Sequence, residues 1–365
     1  MDHIPIDEPS SSHIASLKPH QPNPLDKYSL MGHLAELEKN TVEQTPALGN
    51  LAHKGQSTVI FSAPNNGKTL IIIHLTKEGI SNGTLDPSKV YYLNMDDTGQ
   101  GLLEKCRIAE EYGFHMLADG HKGFKTALFI DTIIYMIEND LCRDVVIILD
   151  TLKKFVDVMS KEKASRFSKY VRIFILKGGT LISLAHTNKK PDSNGKPVYG
   201  GTSDILDDCD CAYTLARVNT DKESTQKVVE FENIKRRGNV AQNAAYTYSL
   251  ESNISYEQLL LSVSALDPNQ LKPLKQAEAI KADAELIRIV KVCLLEGVNT
   301  KMRLADAVAI EAGISKRSAL AVIEKYTGED TTIHQWSFVV RERGAKVYQI
   351  LKGSANTPVV NDPLY

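Results

Sequence analysis

The chain has 365 residues, enough for about two domains, and 42% of them are apolar, as in an ordinary soluble globular protein. A formal net charge of -2 excludes a polycation, so any nucleic-acid contact must come from local basic patches. Five scattered cysteines with no C-x-x-C pair suit a reducing cytosol. Cys209 and Cys211 stand two apart in a strand-like run and are expected on one face of it, with no neighbouring metal partners. No apolar run approaches the ~20 residues of a membrane span. Nor does a signal-peptide pattern open the chain. A cytoplasmic protein is expected.

Residues 1–24, rich in Pro, Ser and His, read as a disordered tail. A helix is expected within 25–48, with Leu34, Leu37 and Leu30 on one face. From 57 the chain alternates short apolar runs with amphipathic stretches. Strands are expected at 57–61, 89–95, 144–150 and 179–186. Helices are expected at 67–80, 99–112, 126–140 and 162–177. This is the pattern of an α/β fold with a mostly parallel sheet flanked by helices. Runs 211–218, 227–234 and 244–250 read as an antiparallel extension, closing a core of residues 25–250. Residues 251–283, with Pro268 and Pro273, read as a polar linker. Residues 284–353 give three helices (285–297, 302–313, 315–328) and two strands within 334–351, turning at Arg343–Gly344. That is the pattern of a small winged-helix domain. Residues 354–365 read as a flexible tail.

The segment Ser62-Ala63-Pro64-Asn65-Asn66-Gly67-Lys68-Thr69 lies between a strand and a helix. It matches the phosphate-binding pattern G-x-x-x-x-G-K-[ST] except that Ser62 replaces the first glycine. In that chemistry, loop N–H groups at the helix N-terminus cradle phosphates and Gly67 lets the backbone approach. Lys68 reaches the β- and γ-phosphates, and Thr69 presents its hydroxyl to magnesium. ATP and Mg2+ are therefore the expected ligands.

Asp150 closes the apolar strand 144–150 and is expected to emerge at its C-terminal end, where open α/β sheets bind ligands. With Thr69 it is the candidate magnesium residue. Asp96 and Asp97 follow the strand 89–95 on the same edge. Either is a candidate base for the attacking water, and the sequence does not separate them. His186 ends the strand 179–186 on that edge and is a candidate sensor of the terminal phosphate.

The order of these motifs resembles the RecA-like ATPases of the RepA type, a group of hexameric plasmid and mobile-element replication helicases. P-N-N-G-K-T (64–69), N-M-D-D (94–97), L-D-T-L (149–152), H-T-N-K (186–189), G-G-T-S-D (200–204) and N-I-K-R-R-G (233–238) carry the resemblance, over roughly residues 28–250. It implies a RecA-like core assembled as a ring or filament, expected to be a hexamer, with ATP at subunit interfaces. It also implies that Lys235 and Arg237, with Arg236 as a substitute, complete a neighbour's site as a K-x-R finger. Two loops would line a central channel for single-stranded DNA: one with Lys153, Lys154, Lys161 and Lys163, the other with Lys189, Lys190, Lys196 and Tyr199. The winged helix offers Lys316, Arg317, Arg341, Arg343 and Lys346 to double-stranded DNA, or docks a replication protein. The expected activity is an ATP-hydrolysing oligomeric DNA motor, a replicative helicase of a mobile element. The alternatives are a DNA-bound regulatory or recombination ATPase that does not unwind, and a P-loop kinase or signalling ATPase without nucleic acid.

Overall fold

The computed structural model describes residues 23–157, 159–187, 203–218, 224–341 and 344–352. The chain forms two compact units, residues 1–41 and 42–365. In the first unit a 3-10 turn (Asp26–Tyr28) precedes helix α1 (Leu34–Asn40). The helix expected within 25–48 is present and spans seven residues. Gly32, at a φ of 85°, turns the chain before it, and Pro46 already opens a strand. Residues 1–22 of the expected tail lie outside the described residues.

The second unit opens with an antiparallel pair, β1 (Pro46–Leu48) and β2 (Ala52–His53). The α/β alternation follows. Strand β3 (Ser57–Ser62) leads into α2 (Lys68–Ser81), and β4 (Val90–Asn94) into α3 (Gly99–Tyr112). Next come β5 (His115–Leu117), α4 (Phe129–Glu138), β6 (Val146–Asp150), α5 (Lys161–Leu176) and β7 (Thr180–His186). Helix α6 (Ser203–Asp208) precedes β8 (Cys211–Val218), β9 (Gln226–Lys235) and β10 (Asn243–Ser249).

Together with β11 (Ser264–Leu266) these strands form one sheet in the order β11-β10-β9-β8-β3-β7-β6-β4-β5. From β8 to β5 every neighbouring pair is parallel, and β8 to β11 pair antiparallel. The expected extension is therefore present, with β8 as the hinge between its two halves. Alternate side chains of each parallel strand face opposite layers. Ile60, Ile148 and Ile182 pack with Leu70, Ile71 and Ile108 of α2 and α3. Val59, Phe61, Ile147 and Leu149 pack with Phe129, Phe167 and Phe174 of α4 and α5. Burial on both faces explains why these strands read as continuous apolar runs.

The expected linker 251–283 is ordered structure instead. It holds α7 (Tyr256–Leu261), the edge strand β11 and α8 (Pro268–Ala282). Ser255 and Gln258 form a capping box that starts α7. Asp267 caps α8 by accepting from the Asn269 N–H at 2.7 Å, and Pro268 occupies the first turn, where its missing N–H costs nothing. Polar composition and two prolines concealed a helix start. Lys275 ties α8 to β9 through Glu230 at 2.7 Å.

The Cys209–Cys211 expectation also fails. Cys209 precedes β8, where its thiol donates to the Leu206 carbonyl at 3.2 Å, and only Cys211 lies in the strand. Burial raises both thiols, Cys209 to about 12. Among the described residues no helix is long and apolar enough to cross a membrane.

Helices α9 (Ala284–Leu295), α10 (Lys301–Ala312) and α11 (Lys316–Lys325) and the antiparallel pair β12 (Trp336–Val340) and β13 (Lys346–Ile350) share a separate apolar core. Fully buried Trp336 sits in it, its indole N–H donating to the Ile323 carbonyl at 2.8 Å and Thr327 Oγ1 at 3.0 Å. It is the chain's one tryptophan, so its emission reports this core alone. Leu304→Ala, at a fully buried position, is expected to cost ~2–5 kcal/mol there. A denaturation midpoint by Trp336 fluorescence that does not move would contradict this packing.

Candidate active site

Strand β3 delivers the chain into the loop Ala63–Gly67, which ends in α2. Gly67 is the helix N-cap, at a φ of 79°. A side chain there would collide with the ring of Tyr248, 2.6 Å from the position of a Cβ. Conformation and space both demand glycine. Asn65 also takes a positive φ, 63°, and its carbonyl accepts from Lys227. Ser62 is fully buried and its hydroxyl donates to the Ala63 carbonyl at 2.9 Å.

Lys68 is 7% exposed, and its ammonium donates to the Ala185 carbonyl at 3.1 Å. Burial lowers its pKa, opposed by the charges of Asp150 and Asp96. A buried cation with one neutral acceptor has a strong unmet demand for an anion.

Asp150 ends β6 and is 1% exposed. Its Oδ2 accepts from Thr69 Oγ1 and from the Tyr92 hydroxyl, each at 2.7 Å. Burial pushes its carboxyl up, against those two donors and the Lys68 charge. Its Oδ1 is buried and has no hydrogen-bond partner among the described residues. An orphaned carboxylate oxygen beside a threonine hydroxyl suits a magnesium ion, which takes few protein oxygens and completes its shell with water and phosphate. Among the described residues no cluster of three or more His, Cys, Asp or Glu would hold a metal without such outside ligands.

The structure separates the two aspartates that follow β4. Asp97 is engaged: its Oδ2 pairs with buried Lys105 and accepts from Asn94 Nδ2 at 2.9 Å. Asp96 has a different neighbour: its carboxylate lies 3.8 Å from His186 Nε2. Its charge also acts on Lys68 and Asp150. His186 ends β7; burial first, then the charges of Lys68 and Lys153, lower its pKa. Its Nδ1 is buried without a partner among the described residues.

A cavity of about 240 Å³ is lined by the loop, Lys68, Thr69, Leu70, Asp96, Asp97, Lys105 and Tyr256, and Asp150 joins it through its bond to Thr69. The ends of β3, β4, β6 and β7 bring them to one sheet edge, the position expected of an open α/β fold. Three contributors escaped the sequence reading. Tyr92 and Tyr256 look like core aromatics of their segments. Lys105 did leave a signal: it shares the buried stripe of α3 with Ile108 and Ala109, an odd place for a lysine.

Lys235 and Arg237 are elsewhere. Lys235 pairs in register with Ala212 at the start of β8, on the edge opposite the loop. Its ammonium donates to the carbonyls of Leu206 and Asp207 at the end of α6. Arg237 pairs with Asp210, while Arg236 donates to the Gly238 carbonyl at 3.4 Å.

Among the basic residues, Lys153 and Lys154 are exposed just after Asp150, in a 3-10 turn (Leu152–Lys154). The charge of Lys153 lowers the pKa of both Lys68 and His186. Lys163 pairs with Asp157 at 3.7 Å. On α11, Arg317 is exposed, but Lys316 is paired with Asp306 at 2.6 Å. Lys189, Lys190, Lys196, Tyr199 and Arg343 lie outside the described residues.

A scan against protein-family models finds no match for this chain, and a search of the curated proteins finds none.

Proposed function

We propose that the chain is a magnesium-dependent ATPase with a RecA-like core, working as an oligomeric DNA motor of the replicative-helicase kind. The carrying observation is one cavity at the C-terminal edge of a parallel sheet lined by the loop, Lys68, Thr69 and Asp96, with Asp150 hydrogen-bonded to Thr69. The loop N–H groups and Lys68 bind the phosphates of ATP. Thr69 and Asp150 hold magnesium, which supplies charge neutralisation at the β- and γ-phosphates. Asp96 takes the proton of the attacking water, and His186 reports the occupancy of the terminal phosphate to the chain that follows β7. Lys235 and Arg237, remote from their own cavity, would act as the finger of a neighbour's site, with Arg237 exchanging Asp210 for phosphate.

The motor part rests on the motif order and the exposed Lys153 and Lys154. The three helices and strand pair at the C-terminus are read as a winged helix. The ion pair Lys316–Asp306 neutralises part of the basic face of α11 and favours protein docking there over DNA.

ATP hydrolysis with and without single-stranded DNA, over a salt series, tests the reading. Hydrolysis should be stimulated by DNA, and the stimulation should fade with salt as lysine–phosphate contacts are screened. Lys68→Ala should lower the rate by ~10²-fold or more. A Lys68→Ala protein that hydrolyses ATP normally would remove the phosphate site. Hydrolysis indifferent to DNA would remove the motor and leave a regulatory or kinase-like ATPase.

A further inference from the structure

Lys105 has no role in the reading above, yet it is among the most conspicuous charges in the molecule. It is 6% exposed, projects from the buried stripe of α3 and forms part of the wall of the phosphate cavity. Its ammonium pairs with Asp97 and stands 5.0 Å from the ring centroid of Tyr256. Asp97 is its one recorded hydrogen-bond partner among the described residues. An ammonium has three donors, so one contact leaves it under-used.

The carboxylate is held more firmly than the ammonium. Asp97 accepts from Asn94 Nδ2 at 2.9 Å, and its own N–H donates to Asn94 Oδ1 at 3.2 Å. Its Oδ1 would lie 3.1 Å from a Cβ at Gly101, so there is little room to move on that side. Lys105, on four flexible carbons, is the mobile member of the pair. The Tyr256 ring offers it a second resting surface through cation–π attraction.

Buried ion pairs are weak stabilising devices, because desolvation offsets most of their attraction. A pair of this kind beside an anion site has a use other than stability. We propose that Lys105 is a second phosphate-binding cation of the cavity, restrained by Asp97 until the terminal phosphate of a nucleoside triphosphate arrives. Lys105 lines the same cavity as Lys68, the loop and Asp96. It then contacts the terminal phosphate alongside Lys68 of α2. The inference rests on the ATP-site reading and deepens it by giving the site a means of telling triphosphate from diphosphate.

Equilibrium binding of Mg-ATP, through a non-hydrolysable analogue, and of Mg-ADP tests this in four variants of the full chain. Lys105→Met keeps the length of the stem; it should weaken triphosphate binding about tenfold or more, the size of a lost hydrogen bond to a charged group. Diphosphate binding should change less than about threefold. Lys105→Arg should restore most of the triphosphate affinity. Asp97→Asn, which releases the lysine, should hold or raise triphosphate affinity. A merely structural pair predicts something different: Lys105→Met and Asp97→Asn would lower melting temperature together and shift both nucleotides alike, or neither. That pattern would overturn the proposal, as would a loss of triphosphate affinity in Asp97→Asn matching that in Lys105→Met. If Lys105→Met does not fold, the other two variants still decide: near-native triphosphate affinity in Lys105→Arg with undiminished affinity in Asp97→Asn supports the proposal, and a loss in Asp97→Asn overturns it. Lys68→Ala is the fourth variant. If it binds both nucleotides like the native chain, the ATP-site reading itself has failed. If only Lys105→Met is without effect, the failure is confined to Lys105.

Discussion

Asp96→Asn is expected to reduce ATP turnover by ~10²–10⁴-fold, the usual contribution of a positioned base, with little change in ATP affinity. Asp97→Asn should stay within about tenfold of the native rate, because it removes no group poised to take a proton. The difference comes from what each carboxylate already does. Asp97 spends one oxygen, Oδ2, on both Lys105 and Asn94. Accepting a proton there would break a buried ion pair and leave the ammonium uncompensated. Asp96 is about one-third exposed, and its nearest recorded charged partner is His186 at 3.8 Å. Burial disfavours the protonated form of that histidine, so the imidazole does not neutralise Asp96. The carboxylate therefore remains open to a water on the cavity side. Single-turnover rates and nucleotide affinities of the two variants, measured side by side, check the assignment. Full activity in Asp96→Asn would move water activation to another group, and a dead Asp97→Asn with an active Asp96→Asn would reverse it.

Much of this site was legible in the sequence, for a physical reason. Strands buried on both faces read as unbroken apolar runs, so the polar residue that ends each run marks the sheet edge. Asp150 and His186 were found in that way and Ser62 from the phosphate-loop pattern, and the three do end adjacent strands. The roles of the two aspartates were not legible. Asp96 and Asp97 are chemically equal, and only the partner that reaches them from α3, eight residues beyond Asp97, separates them. The 251–283 segment was misread because its helices rely on caps at Ser255 and Asp267 and on one-sided packing through Leu260 and Leu271. With six residues α7 is too short for a periodic signal, and α8, though fifteen long, buries only Leu271 and so shows no apolar stripe. That segment also supplies Tyr256 to the cavity wall, so the misreading hid part of the site.

Asp150→Asn is expected to make the nucleotide-free protein more stable while abolishing magnesium-dependent nucleotide binding and hydrolysis. Asp150 is held in β6 at 1% exposure, and burial raises its carboxyl despite donors from Thr69 and Tyr92 and the charge of Lys68. A raised value means that the folded state binds its proton more tightly than the unfolded state does. Stability contributed by this group is then greatest at low pH, falls as pH rises through the interval between the unfolded and folded values, and stays low above it. The amide has no charge to desolvate, and its oxygen still accepts from both hydroxyls. At neutral pH the variant should therefore melt a few degrees higher, at roughly 2–4 °C per kcal/mol for a domain of this size. The gap should close as acid protonates the native carboxyl. Magnesium with a non-hydrolysable ATP analogue should reverse the order, since a ligand at 100 times its Kd adds about 2.7 kcal/mol to the protein that binds it. Thermal melts of both proteins from acid to neutral pH, with and without the magnesium nucleotide, test every part. A variant less stable than the native chain at every pH would make Asp150 a structural carboxylate. A variant stabilised equally by the magnesium nucleotide would remove it from the metal site. If those melts come out as expected, the native chain keeps at the end of β6 a charge that costs it stability, and the orphaned oxygen of that carboxylate is the one the metal would use.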